Sequence, residues 1–299
     1  MKIRHLIILL LLSSANLSAQ NSVFSASVRL GGQTWLPTLN NEVDGSIKGS
    51  IGAHEMVDFR YAYYGKINKH TRVGIMFGAG IGYGSCGVRG NNTDNFSNTD
   101  YSSNKIDYAA TTDFKQSEQF ANADFSLLLA LRHNGFVAQI GPRLILPFSV
   151  KRTLRINDAS IDAYYKQYDV HVVNEIITGK LETPYDITDK TQKWNVITLA
   201  IEMGREWKLG YHSPNSVGIQ AYANIGSRNG KTPAYSRLIN VSPISNPSDP
   251  IPDVTVGWAD SLISKRAYLD FGLRMYYAFS PNTSSSLKFF KRDRYRHRR

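Results

Sequence analysis

Ten charged side chains, Arg29, Asp58, Arg60, Arg72, Asp124, Arg132, Arg143, Glu202, Asp270 and Arg274, fall in stretches whose alternate positions are apolar. Guanidinium and carboxylate groups placed this way can do two things: neutralise one another as a buried polar core, or line a narrow polar conduit. The paired core is the expected arrangement, because a buried charge without a partner is strongly destabilising. Histidines 70, 133 and 212 each fall in a short polar connection. No HxH or HxxxH spacing accompanies them, so no metal centre and no cofactor are expected. His54, Glu55 and Ser85 offer the residue types of a hydrolase, but neighbouring His and Glu point to opposite faces of a strand, so no catalytic residue is assigned.

The elements that must position the ten charges are strands. In residues 71–83, TRVGIMFGAGIGY, Thr71, Val73, Ile75, Phe77, Ala79, Ile81 and Tyr83 share one face, and Arg72 with five glycines or methionines shares the other. The period is two, and one long face is apolar to its aromatic end, as in a strand that meets lipid. The same alternation recurs at residues 24–35, 56–64, 121–132, 136–148, 197–204, 217–225 and 266–279. In each the ten charges fall opposite the apolar face. A soluble ligand-binding barrel would invert this, with apolar residues inward and charges outward. An arginine or lysine facing midplane lipid would cost roughly 2–4 kcal/mol, so the charged faces must point into a lumen.

The connections alternate long and short along these eight strands. Residues 37–54, 90–118, 151–193 and 228–264 are long and polar, the third with tyrosines and β-branched residues at 161–177 and the last with five prolines. The short ones include His133-Asn134-Gly135, a hairpin signal. The expected fold is all-β: a transmembrane antiparallel up-and-down barrel of eight strands, or ten if residues 161–177 cross as an extra hairpin, with long extracellular loops and short periplasmic turns. Closure has a physical cause, because an open sheet edge in hydrocarbon would leave backbone groups unpaired at several kcal/mol each.

Composition and the termini agree with that compartment. The chain of 299 residues has 17 Tyr and 13 Phe, enough for two aromatic belts, and a mean hydropathy of −0.30, too low for a helical membrane protein. Residues 1–19 read as a signal peptide: Lys2 and Arg4, an apolar run from Leu6 to Leu12, then small residues to Ala19. Cys86 has no partner for a disulfide and reads as a small residue near a strand end. Residues 20–280 form the barrel and residues 281–299 a tail. In that tail Lys288, Lys291, Arg292, Arg294, Arg296, Arg298 and Arg299 are offset only by Asp293, which leaves six of the chain's eleven net positive charges there. Nucleic acid is not expected in the periplasm; anionic lipid or an acidic periplasmic partner suits the tail better.

The segment Asp270-Phe271-Gly272-Leu273-Arg274-Met275-Tyr276-Tyr277, on the last strand, carries the most specific resemblance. With the strand pattern over residues 22–280, it resembles the small eight-stranded outer-membrane barrels of the OmpA/OmpX transmembrane type, including PorT-like proteins. The resemblance implies an outer-membrane location in a Gram-negative cell, contact with outer-membrane lipid, and recognition by barrel-assembly machinery through Asp270, Gly272, Met275, Tyr277 and Phe279. It also implies a non-enzymatic structural, surface-interaction or secretion-accessory role. Lipid-modifying barrels of the deacylase kind are the enzymatic alternative, although His54, Glu55 and Ser85 do not match their His-x-Ser arrangement; a narrow porin-like pore is the further alternative. Such barrels often end at the terminal aromatic, whereas this chain continues past Phe279.

Overall fold

The computed structural model describes residues 22–173, 185–189, 194–210, 215–229, 234–243 and 253–280. The signal peptide expected at 1–19, the basic tail at 281–299 and His212 lie outside them. In chain order the strands are β1 (Ser22–Leu39), β2 (Asp44–Ser50), β3 (Gly52–Lys66), β4 (Thr71–Thr99), β5 (Lys105–His133), β6 (Phe136–Tyr165) and β7 (Val170–Val173). They continue with β8 (Tyr185–Asp189), β9 (Asn195–Lys208), β10 (Ser216–Asn229), β11 (Ile239–Val241), β12 (Val254–Val256) and β13 (Ile263–Phe279); one 3-10 turn, Ala259–Leu262, precedes β13.

Eight of these strands close a ring of antiparallel ladders. β1 pairs with β3, and the ladder continues through β4, β5, β6, β9 and β10 to β13, which returns to β1. The closing ladder runs from Phe24 opposite Phe279 to Thr38 opposite Lys265 before its register shifts. Phe24 stacks on Phe279 at 5.5 Å and meets Tyr61 at 5.0 Å, so aromatic packing reinforces the seam at one rim.

Local chemistry makes the tight turns at that rim. Asn134 and Gly135 both adopt positive φ, 49° and 83°, as the two-residue β5–β6 hairpin requires. Between β3 and β4, the Asn68 side chain accepts the amides of His70 at 2.9 Å and Thr71 at 2.8 Å. On the outward face Val73, Phe77, Ile81 and Tyr83 are exposed on β4, as are Phe125, Leu127, Leu129 and Leu131 on β5 and Phe271, Leu273, Met275, Tyr277 and Phe279 on β13. From Val73 to Tyr83, ten steps of roughly 3.3 Å tilted by about 40° make a belt about 25 Å tall.

Beyond the belt the structure departs from the sequence pattern. Residues 90–118, expected as a loop, continue β4 and β5 in unbroken register to the turn at Asp100, whose carboxylate takes the amides of Ser102 and Asn104, each at 2.8 Å. The first part of the 151–193 segment likewise continues β6 to Tyr165, and Val170–Val173 return as β7 outside the ring. The reason is a change of surroundings. Val88, Phe96, Tyr108, Phe114, Ile156 and Ile161 are buried on the inner side, while the outer side meets water and carries Asn, Asp, Ser, Thr and Lys. An alternation with one polar face and few apolar residues looks like a loop in sequence.

β2 takes the place of β3 beside β4 at Gly87–Thr93, and β8 pairs with β6 at Arg152–Ile156, which widens the extension into a curved sheet. Of the segment between β10 and β13, the described residues 234–243 and 253–262 turn inward. Its 3-10 turn buries Ala259 and Leu262 against Trp35, Phe114, Phe120, Trp194 and Tyr268. Its β11–β12 hairpin covers Phe96, Ile106, Tyr108 and Ile161.

Single cysteines at the adjacent positions Asn91 and Asn92 distinguish strand from loop, because Asn91 is exposed and Asn92 is 1% exposed. With Cys86 replaced by serine, a membrane-impermeant maleimide added to intact cells should label Asn91→Cys and leave Asn92→Cys unlabelled. Equal labelling of both would show a loop.

Candidate functional site

Inside the ring, eight charged side chains from six strands lie buried together. Glu202 of β9 is the hub. Its carboxylate takes a two-pronged contact from Arg60, at 2.7 and 2.8 Å, and one from Arg143 at 2.7 Å. Arg29 lies 3.5 Å away. Asp58 of β3 is the second node, with Arg29 at 2.7 Å, Arg60 at 3.0 Å and Arg274 at 3.5 Å. The Arg29–Asp58 contact is close but lacks hydrogen-bond alignment, so charge rather than direction holds Arg29. Asp124 faces Arg143 at 3.3 Å, and Asp270 takes the Asn224 amide at 2.7 Å with His54 Nδ1 at 3.0 Å. Gln220 and Ser27 accept from Arg274 at 2.7 and 2.9 Å.

Four guanidinium groups thus meet three carboxylates, Asp58, Asp124 and Glu202, while Asp270 is held by His54 and Asn224; none of the eight charged side chains is more than 2% exposed. Water-sized solvent does not reach them. The glycine face of β4 makes the room: a Cβ at Gly80 would come within 2.8 Å of the Asp58 side chain and 2.7 Å of a backbone carbonyl. Above this level Trp35, Phe120, Trp194 and Tyr268 pack edge to face at 4.9–5.4 Å. The lumen is filled, as the bore of an eight-stranded barrel permits.

Two of the ten charges selected from sequence stand apart from this network. Arg72 is exposed at the start of β4, where the wall ends. Arg132 sits near the same rim, paired with Glu206 at 2.9 Å and lying over the Tyr64 ring at 4.5 Å. Both have the inward parity, but parity does not fix height along the axis. The last-strand motif also divides: Asp270 belongs to the lumen, Gly272 lies against the backbone of Leu30 and Gly31, and Met275, Tyr277 and Phe279 lie on the belt.

A second charged cluster, not foreseen from sequence, anchors the inward-turned segment. Asp260 in the 3-10 turn pairs with Arg266 and, at 2.9 Å, with Arg152, and it takes the Gln116 amide at 2.7 Å. Gln116 also accepts the Ala259 N–H at 3.0 Å, while Glu118 meets Arg266 at 3.0 Å and Arg228 at 3.4 Å. Burial works to raise the Asp260 carboxyl, but Arg266, the Gln116 hydrogen bond, Arg228 and Arg152 outweigh it and hold its pKa below the usual value. The sequence signals for this cluster are Arg266, which shares the inward parity of Asp270 and Arg274, and Gln116 and Glu118, whose inward parity is visible once residues 90–118 are read as strand.

The rim that holds the tight turns opens on a cavity of about 550 Å³, lined by Lys69, His70, Arg72, Arg132, His133 and Lys208 among others. His133 Nδ1 lies 2.9 Å from the Thr71 hydroxyl. No group of three His, Cys, Asp or Glu side chains that could hold a metal occurs among the described residues. The hydrolase types do not converge: His54 is buried against Asp270, whereas Glu55 is exposed and Ser85 lies on the outward face of β4. Cys86 is free and buried.

No family model matches the chain, and no curated protein matches it. Among solved structures, Ail, the attachment invasion locus protein of Yersinia pestis, is similar at 11% identity over 87% of this chain and 99% of that chain, with a TM-score of 0.23. The outer membrane protease OmpT from Escherichia coli is similar at 9% identity over 89% and 98%, with a TM-score of 0.24. The translocator domain of the autotransporter NalP from Neisseria meningitidis is similar at 9% identity over 93% and 95%, with a TM-score of 0.18. Superposition this loose adds nothing to the ring seen in the ladders and transfers no activity.

Glu202→Gln keeps the shape but leaves the surrounding guanidinium groups without their shared anion. It should lose about 3–5 kcal/mol of stability, read from the urea dependence of folded-barrel gel mobility, whereas the exposed Glu55→Gln should change it by less than about 0.5 kcal/mol. The pH dependence of the inward-turned segment follows from Asp260. A carboxyl held below its unfolded value of about 3.9 contributes its full stabilisation above that pH and loses it as pH falls through the lower, folded value. Protease cleavage between β10 and β13 should therefore stay slow from neutral pH to about 4 and accelerate below it, and Asp260→Asn should be cut fast already at neutral pH.

Proposed function

We propose that the protein is an integral outer-membrane barrel whose eight ring strands cross the membrane, whose lumen is a polar core rather than a conduit, and whose extended outer sheet is a surface-interaction element. The observation that carries this is the reversal of polarity on single strands. Within the 25 Å belt the outside is apolar and the inside holds the paired charges; past Tyr83 and Phe148 the outside is polar and the inside is an apolar core of Val88, Phe96, Phe114 and Leu154 around the Asp260 cluster. A soluble barrel has no use for the first arrangement, and lipid cannot surround the second. The short turns and both ends of the ring then lie on the periplasmic side, and the long strands extend outside the cell.

The role is read as non-enzymatic because the residue types of a hydrolase are dispersed over two faces and the charged lumen is closed to solvent. Secretion-accessory work remains within the same reading. The chain leaves the barrel at Ser280, which lines the basic inner-rim cavity, and the sequence that follows, Lys288 to Arg299, carries charge of the same sign. Anionic lipid or an acidic periplasmic protein suits that surface.

Full-length protein and a chain ending at Pro281 should both stay in the membrane pellet through alkaline carbonate and run with a heat-dependent shift in gel mobility. Only the full-length protein should bind periplasmic-leaflet phospholipid vesicles in a salt-sensitive way. Release by carbonate without detergent would refute the integral barrel, and equal vesicle binding by both chains would refute the role of the tail.

A further inference from the structure

The outward face of the extended sheet carries a row of like charges. Lys48 on β2 is directly opposite Arg89 on β4, Arg89 is opposite Lys115 on β5, and Lys115 is opposite Arg155 on β6. All four are exposed, and none is joined to an acid by an ion pair among the described residues. Like charges directly opposite one another weaken a sheet, so four in succession need a counter-anion from elsewhere. The nearby acids do not supply it: Asp186 stands beyond Arg155 at the end of the row, and Asp113 stands one row farther out with Asn157 at 3.2 Å. Strands roughly 4.8 Å apart spread the four cations over about 14 Å. Lys48, Arg89 and Lys115 line a cavity of about 440 Å³ with Ser46, Asn91 and Asn157, which add neutral hydrogen-bonding groups, and with one acid, Asp113, against three cations.

Height selects the ligand. Arg89 is six residues past Tyr83, the last apolar residue of the β4 belt, or about 20 Å along the strand and about 15 Å above the belt edge at a tilt near 40°. A phospholipid headgroup layer is only about 5–8 Å thick, so the row stands above it. A lipid whose anionic groups are carried on sugars reaches that level. The row just below, Gly87, Ser117, Thr153 and Thr188, is small and largely hydroxyl-bearing, and Lys151 lies one further row toward the belt. We propose that this face binds the phosphate groups of a phosphorylated glycolipid in the leaflet that surrounds the barrel. The proposal rests on the lipid-facing reading of the belt.

The test uses full-length protein reconstituted with phosphatidylcholine vesicles that contain a glycolipid phosphorylated on the outer sugars of its oligosaccharide, its dephosphorylated form, or neither. The K48Q/R89Q/K115Q/R155Q variant should retain the phosphorylated glycolipid on the order of a hundredfold more weakly than the wild type, and K48R/K115R should match the wild type. Wild type should show a comparable loss on the dephosphorylated lipid. Heat-shifted gel mobility, read on the same samples, should be the same for all variants. Equal retention by wild type and the four-glutamine variant, or of both glycolipids, would overturn the proposal while leaving the barrel intact. Release by free inorganic phosphate at equal concentration would overturn the lipid assignment in favour of a soluble anion. Capture of soluble dextran sulfate without retention of glycolipid would overturn it in favour of an acidic polymer in trans. Wild type that fails to insert would overturn this proposal and the membrane reading together.

Discussion

Closure of the ladder between β1 and β13 is the constraint on which the rest of the molecule depends. It pairs the backbone from Phe24 and Phe279 upward and leaves no sheet edge along the belt. An edge there would leave donors and acceptors unpaired in hydrocarbon at several kcal/mol each. Once the ring is closed, every second residue of eight strands points into a bore too narrow for bulk water. A charge on that face has no solvent to turn to. The four guanidinium groups satisfy this by meeting Glu202, Asp58 and Asp124, and Asp270 by taking His54 and Asn224.

The same closure explains why the molecule can change character along its axis. β4 is one continuous strand, yet its inner face passes from glycines that admit the ion network to Cys86, Val88 and Phe96 in an apolar core. Its outer face passes in the same interval from Phe77 and Tyr83 to Arg89 and Asn91. A pleat fixes which side a residue faces, and the surroundings at that height fix which chemistry is tolerated there. The inward-turned segment before β13 completes the upper core, and Asp260 with Arg152 and Arg266 ties it to the wall where water is scarce.

Much of this is legible in the chain wherever lipid is one of the two surroundings. The apolar faces at 71–83, 121–132 and 266–279 lie on the outside, and Asp58, Arg60, Asp124, Arg143, Glu202, Asp270, Arg29 and Arg274 lie within. Residues 90–118 are misleading as sequence because water replaces lipid on the outer side, and a strand with one solvated face and scattered Phe and Tyr resembles a polar loop. Arg72 and Arg132 have the right parity and the wrong height. Asp260 and Arg266 meet across a turn, and the basic row of Lys48, Arg89, Lys115 and Arg155 gathers residues that are far apart in the chain.

By itself the sequence determined the strands, their faces and the sign of the chemistry each face carries, because alternation is a local consequence of the pleat. It also determined that charges would need partners, since their count and placement are written in the chain. Which charges share a level, which of them reach solvent, and how far the strands continue beyond the belt were decided only by the tertiary structure. Those properties follow from register between strands, and register is set by ladders that join residues dozens to hundreds of positions apart.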